Sequence, residues 1–166
     1  MSREHAQRMT MGRTLAIDWG DRRIGLAVSD ELGMLASPAG VVTRRAGKRP
    51  PIAELLRQAD TLAVDAIVFG LPIDGDGNET PRSREVREVA SKLAARTVRP
   101  VRLVDERFTT AAALRTVREQ GGSTRGRKGD VDALAAAILL EQVLQAQRGG
   151  VVLGEPVEPW QGEGRD

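Results

Sequence analysis

Apolar and polar positions follow two different periods along this chain, and each change of period marks an element. "TLAIDW" (14–19) and "RRIGLAVSD" (22–30) carry the apolar density and alternation of strands. The "GDRR" turn between them predicts a hairpin. "MLASPAGVVT" is the next strand, and a basic loop, "RRAGKRP", follows it. The period then lengthens. Ile52, Leu55, Leu56 and Ala59 recur at helical spacing within residues 50–64. "AIVFGL" (66–71) is a short continuous apolar run, the mark of a buried parallel strand. Past the polar loop "PIDGDGNETP", Val86, Val89, Ala90 and Leu93 predict a helix over 83–97, and "PVRLVD" is another strand. Thr109 can cap a helix running to Gln120, with Gly121 and Gly122 ending it. The loop "GGSTRGRKG" precedes a long helix over 130–147, apolar nearly all round at "ALAAAILL" and therefore expected to be buried.

Three strands joined by short turns, followed by alternating helices and strands, predict an α/β fold. Its five-stranded mixed sheet would be antiparallel early, parallel later, and flanked by helices. Ligands in such sheets lie at the carboxyl ends of the parallel strands. One domain is expected over 13–148, with a flexible leader (1–12) and a flexible tail (149–166). Neither internal repeats nor low-complexity segments interrupt it.

Composition narrows the chemistry. No apolar stretch approaches the ~20 residues of a membrane span, and the leader lacks the apolar centre of a secretory signal. The absence of cysteine removes thiolate chemistry and fits a cytoplasmic location. The single histidine, His5, lies in the leader, which argues against Ser-His-Asp and Cys-His catalysis and against histidine-based zinc sites. A hydrolase made from this chain would work with carboxylates and a hard cation, magnesium or manganese. The net charge is only +2, yet Lys48, Lys92 and Lys128 are the only lysines; the other cations are arginine, the better bidentate phosphate ligand.

Three acids stand out. Asp18 lies near the end of an apolar strand, where an unpaired charge would cost several kcal/mol. A bound cation would compensate it; local capping of the next turn is the plainer alternative. In "DERFTT", Asp105 and Glu106 end a strand and point different ways, since side chains alternate. Glu106 is the chosen ligand and Asp105 the fallback. In "GDVDALAAAILL", Asp130 looks like the helix cap, and Asp132 falls in the first turn, where an acid also suits the helix dipole.

The run "DGDGNETPRSRE" matches calcium-loop spacing at Asp74, Asp76, Asn78 and Glu85, but Glu79 replaces the required glycine and Pro81 interrupts it. A polar loop beside the site is the better reading. Arg125, Arg127 and Lys128 precede Asp132 in a cationic loop, and with Arg22, Arg23 and Arg107 they are candidate contacts to a phosphodiester backbone. Aromatics make up 2% of the chain, so base-stacking platforms are scarce.

The stretches "IDWGDRRIGLAVSD", "IVFGLPIDGDGNE", "VRLVDERFTT" and "VDALAAAILL", in this order, resemble the YqgF/RuvX-like family of the RNase H-like superfamily. The likeness covers about Leu15 to Leu144. It implies an RNase H-like fold and a nuclease using Mg2+ or Mn2+, acting on pre-rRNA at the 5′ end of 16S rRNA or on branched DNA at Holliday junctions. It carries the metal and catalytic roles onto Asp18, Glu106 and Asp132. Three such carboxylates can hold two cations roughly 3.5–4 Å apart. Ribosomal particles are possible partners, and resolving a junction would require a symmetric homodimer. Trp19 departs from the pattern: it is large beside the metal position and raises the question of substrate access. Two other classes compete. Asp18, Gly20 and Gly25 also match the phosphate turn of actin-like kinases, which need two such domains. A non-catalytic RNA-binding assembly factor would keep the acids for folding alone.

Overall fold

A computed structural model describes residues 12–45, 47–107 and 128–162. The helix expected over 109–120, the leader with His5, and Arg125 and Arg127 lie outside the described residues. Strands β1 (Thr14–Trp19), β2 (Arg23–Ser29) and β3 (Ala36–Thr43) lead to helix α1 (Ile52–Thr61) and strand β4 (Ala66–Leu71). Helix α2 (Pro81–Ala94), strand β5 (Val101–Asp105), helix α3 (Lys128–Arg148) and strand β6 (Glu155–Pro156) follow. The sheet order is β3-β2-β1-β4-β5-β6. The pairs β1–β2 and β2–β3 are antiparallel, while β1–β4 and β4–β5 are parallel. No described helix is long and apolar enough to cross a membrane.

Among the described residues the sheet therefore has six strands, not the expected five. The sixth is two residues long and pairs antiparallel with Arg102 and Leu103 of β5. Its Pro156 suits an edge strand, and two residues leave no periodicity to read. Around it the segment past Gly149, expected to be loose, makes specific contacts. Val157 N–H donates to Val101 O at 2.9 Å, Trp160 N–H to Ser91 O at 3.0 Å, and Ser91 Oγ to Glu158 O at 2.7 Å.

Alternation along the strands sorts the core into two layers. Leu15, Ile17 and Trp19 of β1 face α1 and α2 with Ile24, Leu26, Ile67 and Phe69. Ala16 faces the other way with Ala27, Val68 and Val104, against Ala136, Leu139, Leu140 and Val143 of α3. The sheet residues on the α3 side are small, which lets that apolar helix lie close across β1, β2 and β3.

Helix starts differ from the sequence expectation for local reasons. Helix α2 begins at Pro81, two residues early. Thr80 caps it in a capping box with Ser83, and proline's fixed φ suits the first helical position. Helix α3 begins at Lys128, so Asp130 lies inside the first turn and is not the cap.

Candidate active site at the carboxyl end of β1

Asp18 is the fifth residue of the central strand β1, and only 1% of it is exposed. Alternation with Ile17 and Trp19 puts its side chain on the α3 face. A glycine flanks it on either side. Gly25 of β2 is its antiparallel partner, and Gly70 of β4 lies level with it, one step beyond the Ile17–Phe69 pair. The other two acids occupy the room these glycines leave. A Cβ built on Gly25 would lie 2.0 Å from the Asp132 carbonyl oxygen, and one on Gly70 would lie 2.6 Å from Glu106 Oε2. Sequence reasoning missed both glycines as parts of the site. Their signal was available, since a glycine inside a strand marks close approach of another group.

Glu106 follows β5 and is 2% exposed, while Asp132 in α3 is fully buried. Adjacent strands are about 4.8 Å apart, so two spacings, about 10 Å, separate β1 from β5, and Glu106 lies two residues beyond Val104, the β5 residue level with Asp18. Glu106 shortens that gap by laying its carboxylate over Gly70. Asp105 is exposed and makes a local turn: its Oδ1 accepts from Arg107 N–H at 2.8 Å and its Oδ2 pairs with the Arg107 guanidinium at 3.3 Å. Of the two acids, Glu106 is the one beside the acid-bearing face.

Arg23 Nε donates to Asp132 Oδ2 at 3.0 Å, which joins the start of β2 to α3. Arg22 is exposed on the β1–β2 turn, and Lys128 opens α3. Trp19 does not obstruct the acids. It points to the opposite face, buried, where its Nε1 donates to Glu85 Oε1 at 2.5 Å and Arg44 stacks 4.5 Å from the ring centroid. The Arg44–Trp19–Glu85 group has no sequence signal, because its members meet only through the fold.

The calcium-like run is a self-bonded turn. Asp74 Oδ1 accepts from the N–H groups of Asp76 and Asn78, at 3.0 and 2.8 Å, and Glu79 pairs with Arg87. Gly77, with φ +84°, admits the Arg107 side chain, whose Nη1 would lie 2.7 Å from a Cβ there.

Asp18, Glu106 and Asp132 offer oxygen donors without imidazole or thiolate, the set that magnesium and manganese take. Their chemistry fits such an ion. As they stand they are not gathered into a cluster: among the described residues no three His, Cys, Asp or Glu side chains are arranged to hold one metal. Asp132 faces Arg23 instead.

A mixed sheet with a central acidic strand end and a helix laid across it defines an RNase H-like α/β protein. The Thermus thermophilus RuvC solved with a Holliday junction substrate shares this fold, with a TM-score of 0.51 and 16% identity over 87% of this chain and 99% of that one. The sequence profile of the family described as "RuvX: Holliday junction resolvase" matches residues 12–146, and the chain belongs to that family. It is 42% identical to a Nocardioides protein named "Putative pre-16S rRNA nuclease", over 90% of this chain and 99% of that one. A relative of the same name from Anaeromyxobacter dehalogenans is 41% identical over 78% of this chain and 93% of its own.

Proposed function

We propose that this protein is a divalent-metal-dependent nuclease that hydrolyses phosphodiester bonds in maturing the 5′ end of pre-16S rRNA. The observation that carries the reading is the placement of three buried carboxylates on one face of the sheet, at the carboxyl end of β1. The names of the curated relatives support the rRNA substrate.

Asp18 is held by a central strand paired on both sides, so its position is fixed before substrate arrives. Glu106 lays its carboxylate over Gly70, and the Asp132 backbone lies over Gly25 at the start of α3. Mg2+ or Mn2+ bound by these acids supplies a Lewis acid for the scissile phosphate and an activated water. Arg23, exchanging Asp132 for a phosphate oxygen, would place the substrate backbone at the same strand end, with Arg22, Arg107, Arg125, Arg127 and Lys128 as further contacts. Work on pre-rRNA would put the protein in the cytoplasm, with ribosomal particles as partners.

The family description favours a second reading, resolution of Holliday junctions, which needs a symmetric homodimer to cut two strands. One experiment tests both. Purified protein with manganese or magnesium is offered a 16S precursor 5′ fragment and a four-way DNA junction, with Asp18→Asn in parallel. Loss of several kcal/mol of charge stabilisation lowers cleavage by about a thousandfold or more. An active Asp18→Asn protein overturns the assignment. Binding of RNA by wild-type protein and variant alike, with no cutting by either, identifies an assembly factor instead.

A further inference from the structure

The basic segment after β3 is not a mobile fringe at its start. Arg44 is pinned by four contacts. Its backbone N–H donates to Arg22 O at 2.8 Å, its Nε to Asp21 O at 2.9 Å, its Nη1 pairs with Glu85 at 2.6 Å, and its guanidinium stacks on Trp19. Beyond it the chain folds around a cavity of about 460 Å³ lined by Thr43, Arg44, Arg45, Lys48, Arg49 and Pro51. Arg45, Lys48 and Arg49 are exposed, and no ion pair among the described residues involves them. The acids nearby are already engaged: Glu85 pairs with Arg44 and Glu88 with Lys92. The cavity therefore keeps three positive charges that nothing on the described surface offsets.

Its position matters as much as its charge. Thr43 pairs with Arg23, and Arg23 holds Asp132, so the loop leaves the sheet at the end where the acids lie. Arg44 stands on the Trp19 face, so a backbone running from the cavity to Asp18 passes over the end of the sheet to the other face while crossing two strand spacings, about 10 Å, from β3 to β1. At 3.4 Å of axis per phosphate, the lateral part of that path alone is about three phosphates along one strand of a duplex. We propose that this cavity is a second anchoring site for the phosphodiester backbone of a nucleic acid whose scissile bond lies at Asp18, a reading that rests on the nuclease assignment. The aromatic ring behind it, Trp19, is buried and covered by Arg44, and no aromatic residue lines the cavity, so it can hold phosphate but cannot stack a base. It anchors the substrate without reading its sequence.

The test is binding, measured separately from cleavage. Fluorescence anisotropy in EDTA follows a labelled 16S precursor 5′ fragment and a labelled four-way DNA junction over a range of salt concentrations. The triple variant Arg45→Gln/Lys48→Gln/Arg49→Gln is compared with the wild type and with a charge-keeping control, Arg45→Lys/Lys48→Arg/Arg49→Lys. The variant should bind the preferred arm about tenfold or more weakly. The slope of log affinity against log salt should shrink by about 1 for each phosphate the variant no longer neutralises. The control should bind like the wild type, and thermal midpoints should agree, since these side chains are exposed.

Unchanged affinity and slope in the triple variant overturn the proposal even if the wild type cuts nucleic acid. Failure of the wild type to bind either substrate also overturns it. Loop-dependent binding by a wild-type protein that cuts neither substrate sustains the anchoring site and sinks the nuclease reading alone.

Discussion

Asp18 and Trp19 are neighbours on one strand, yet they belong to opposite faces of the sheet. On the Trp19 face the sheet side chains are large: Ile17, Ile24 and Phe69 pack beneath α1 and α2, in one cluster with Leu93 of α2. On the Asp18 face the strands offer Ala16, Gly25, Ala27 and Gly70, and three carboxylates and the body of α3 fill the space. Bulk on one side gives the strand its stability. Smallness on the other leaves room for charged groups on a surface that stability alone would fill with apolar side chains. A strand fixed by its Trp19 face can hold Asp18 in one place at little cost in order, the preorganisation that the proposed role of Asp18 would require.

The first way to break this contrast is to exchange the fates of the two residues. Trp19→Ala should destabilise the protein by about 3–5 kcal/mol, by the cavity it leaves and by the loss of partners for Arg44 and Glu85. Asp18→Asn should leave the circular dichroism spectrum and the cooperativity of melting intact while removing cleavage. If the two variants unfold at the same denaturant concentration, the division of labour between the faces is wrong.

The two glycines sharpen the picture. A methyl group on Gly25 meets backbone, the Asp132 carbonyl, and backbone moves only with the helix. Gly25→Ala should therefore cost about 1–3 kcal/mol in urea unfolding and misplace Asp132. On Gly70 the methyl meets the far end of the Glu106 side chain and a Leu139 methyl at 3.1 Å, both able to give. Gly70→Ala should cost less stability than Gly25→Ala and still lower cleavage, by turning the Glu106 carboxylate aside. The reverse ranking would mean that the glycines serve packing alone.

Much of this is legible in the residues. The order of strands along the chain, the buried helix and the oddity of Asp18 follow from periodicity and from a charge set in an apolar run, whereas the choice of Glu106 and Asp132 rested on the family resemblance. Alternation alone also sends Asp18 and Trp19 to opposite faces, so the strand's own period answers the concern over the bulk of Trp19. What the sequence could not show depends on partners brought from afar. Arg23 and Asp132 are 109 residues apart, Trp19 and Glu85 are 66 apart, and no local pattern links either pair. Strand β6 was illegible for a different reason: its two residues are defined only by the β5 edge they meet.

Arg23 ties the acidic face to the end of the sheet, and its removal should have a moderate effect. Asp132 is fully buried while the Arg23 side chain is 30% exposed, so solvent screens the pair in part. Arg23→Gln should cost about 1 kcal/mol, and a double-mutant cycle with Asp132→Asn should return most of that as coupling. A coupling near zero would show that Arg23 is a surface charge with no hold on α3.

The smallest effect should lie at the far end of the same strands. Asp30 caps the β2–β3 turn, its Oδ1 accepting from the N–H groups of Met34 at 2.7 Å and Leu35 at 3.1 Å. The Leu35 bond, then the Met34 bond, hold its carboxyl below the ordinary 3.8. A carboxyl lowered in the folded state adds stability that is full above its unfolded value and lost as pH falls through the folded one. Wild type should therefore exceed Asp30→Asn in urea midpoint at pH 7, and the gap should close below pH 3.8, once the carboxyl protonates. Cleavage should not change, because the Ser29–Ala36 pair beside this turn lies at the opposite end of the sheet from the Arg23–Thr43 pair next to the acids. A cleavage defect in Asp30→Asn would mean that the turn communicates with the acidic end, and that the two ends of β2 are not independent.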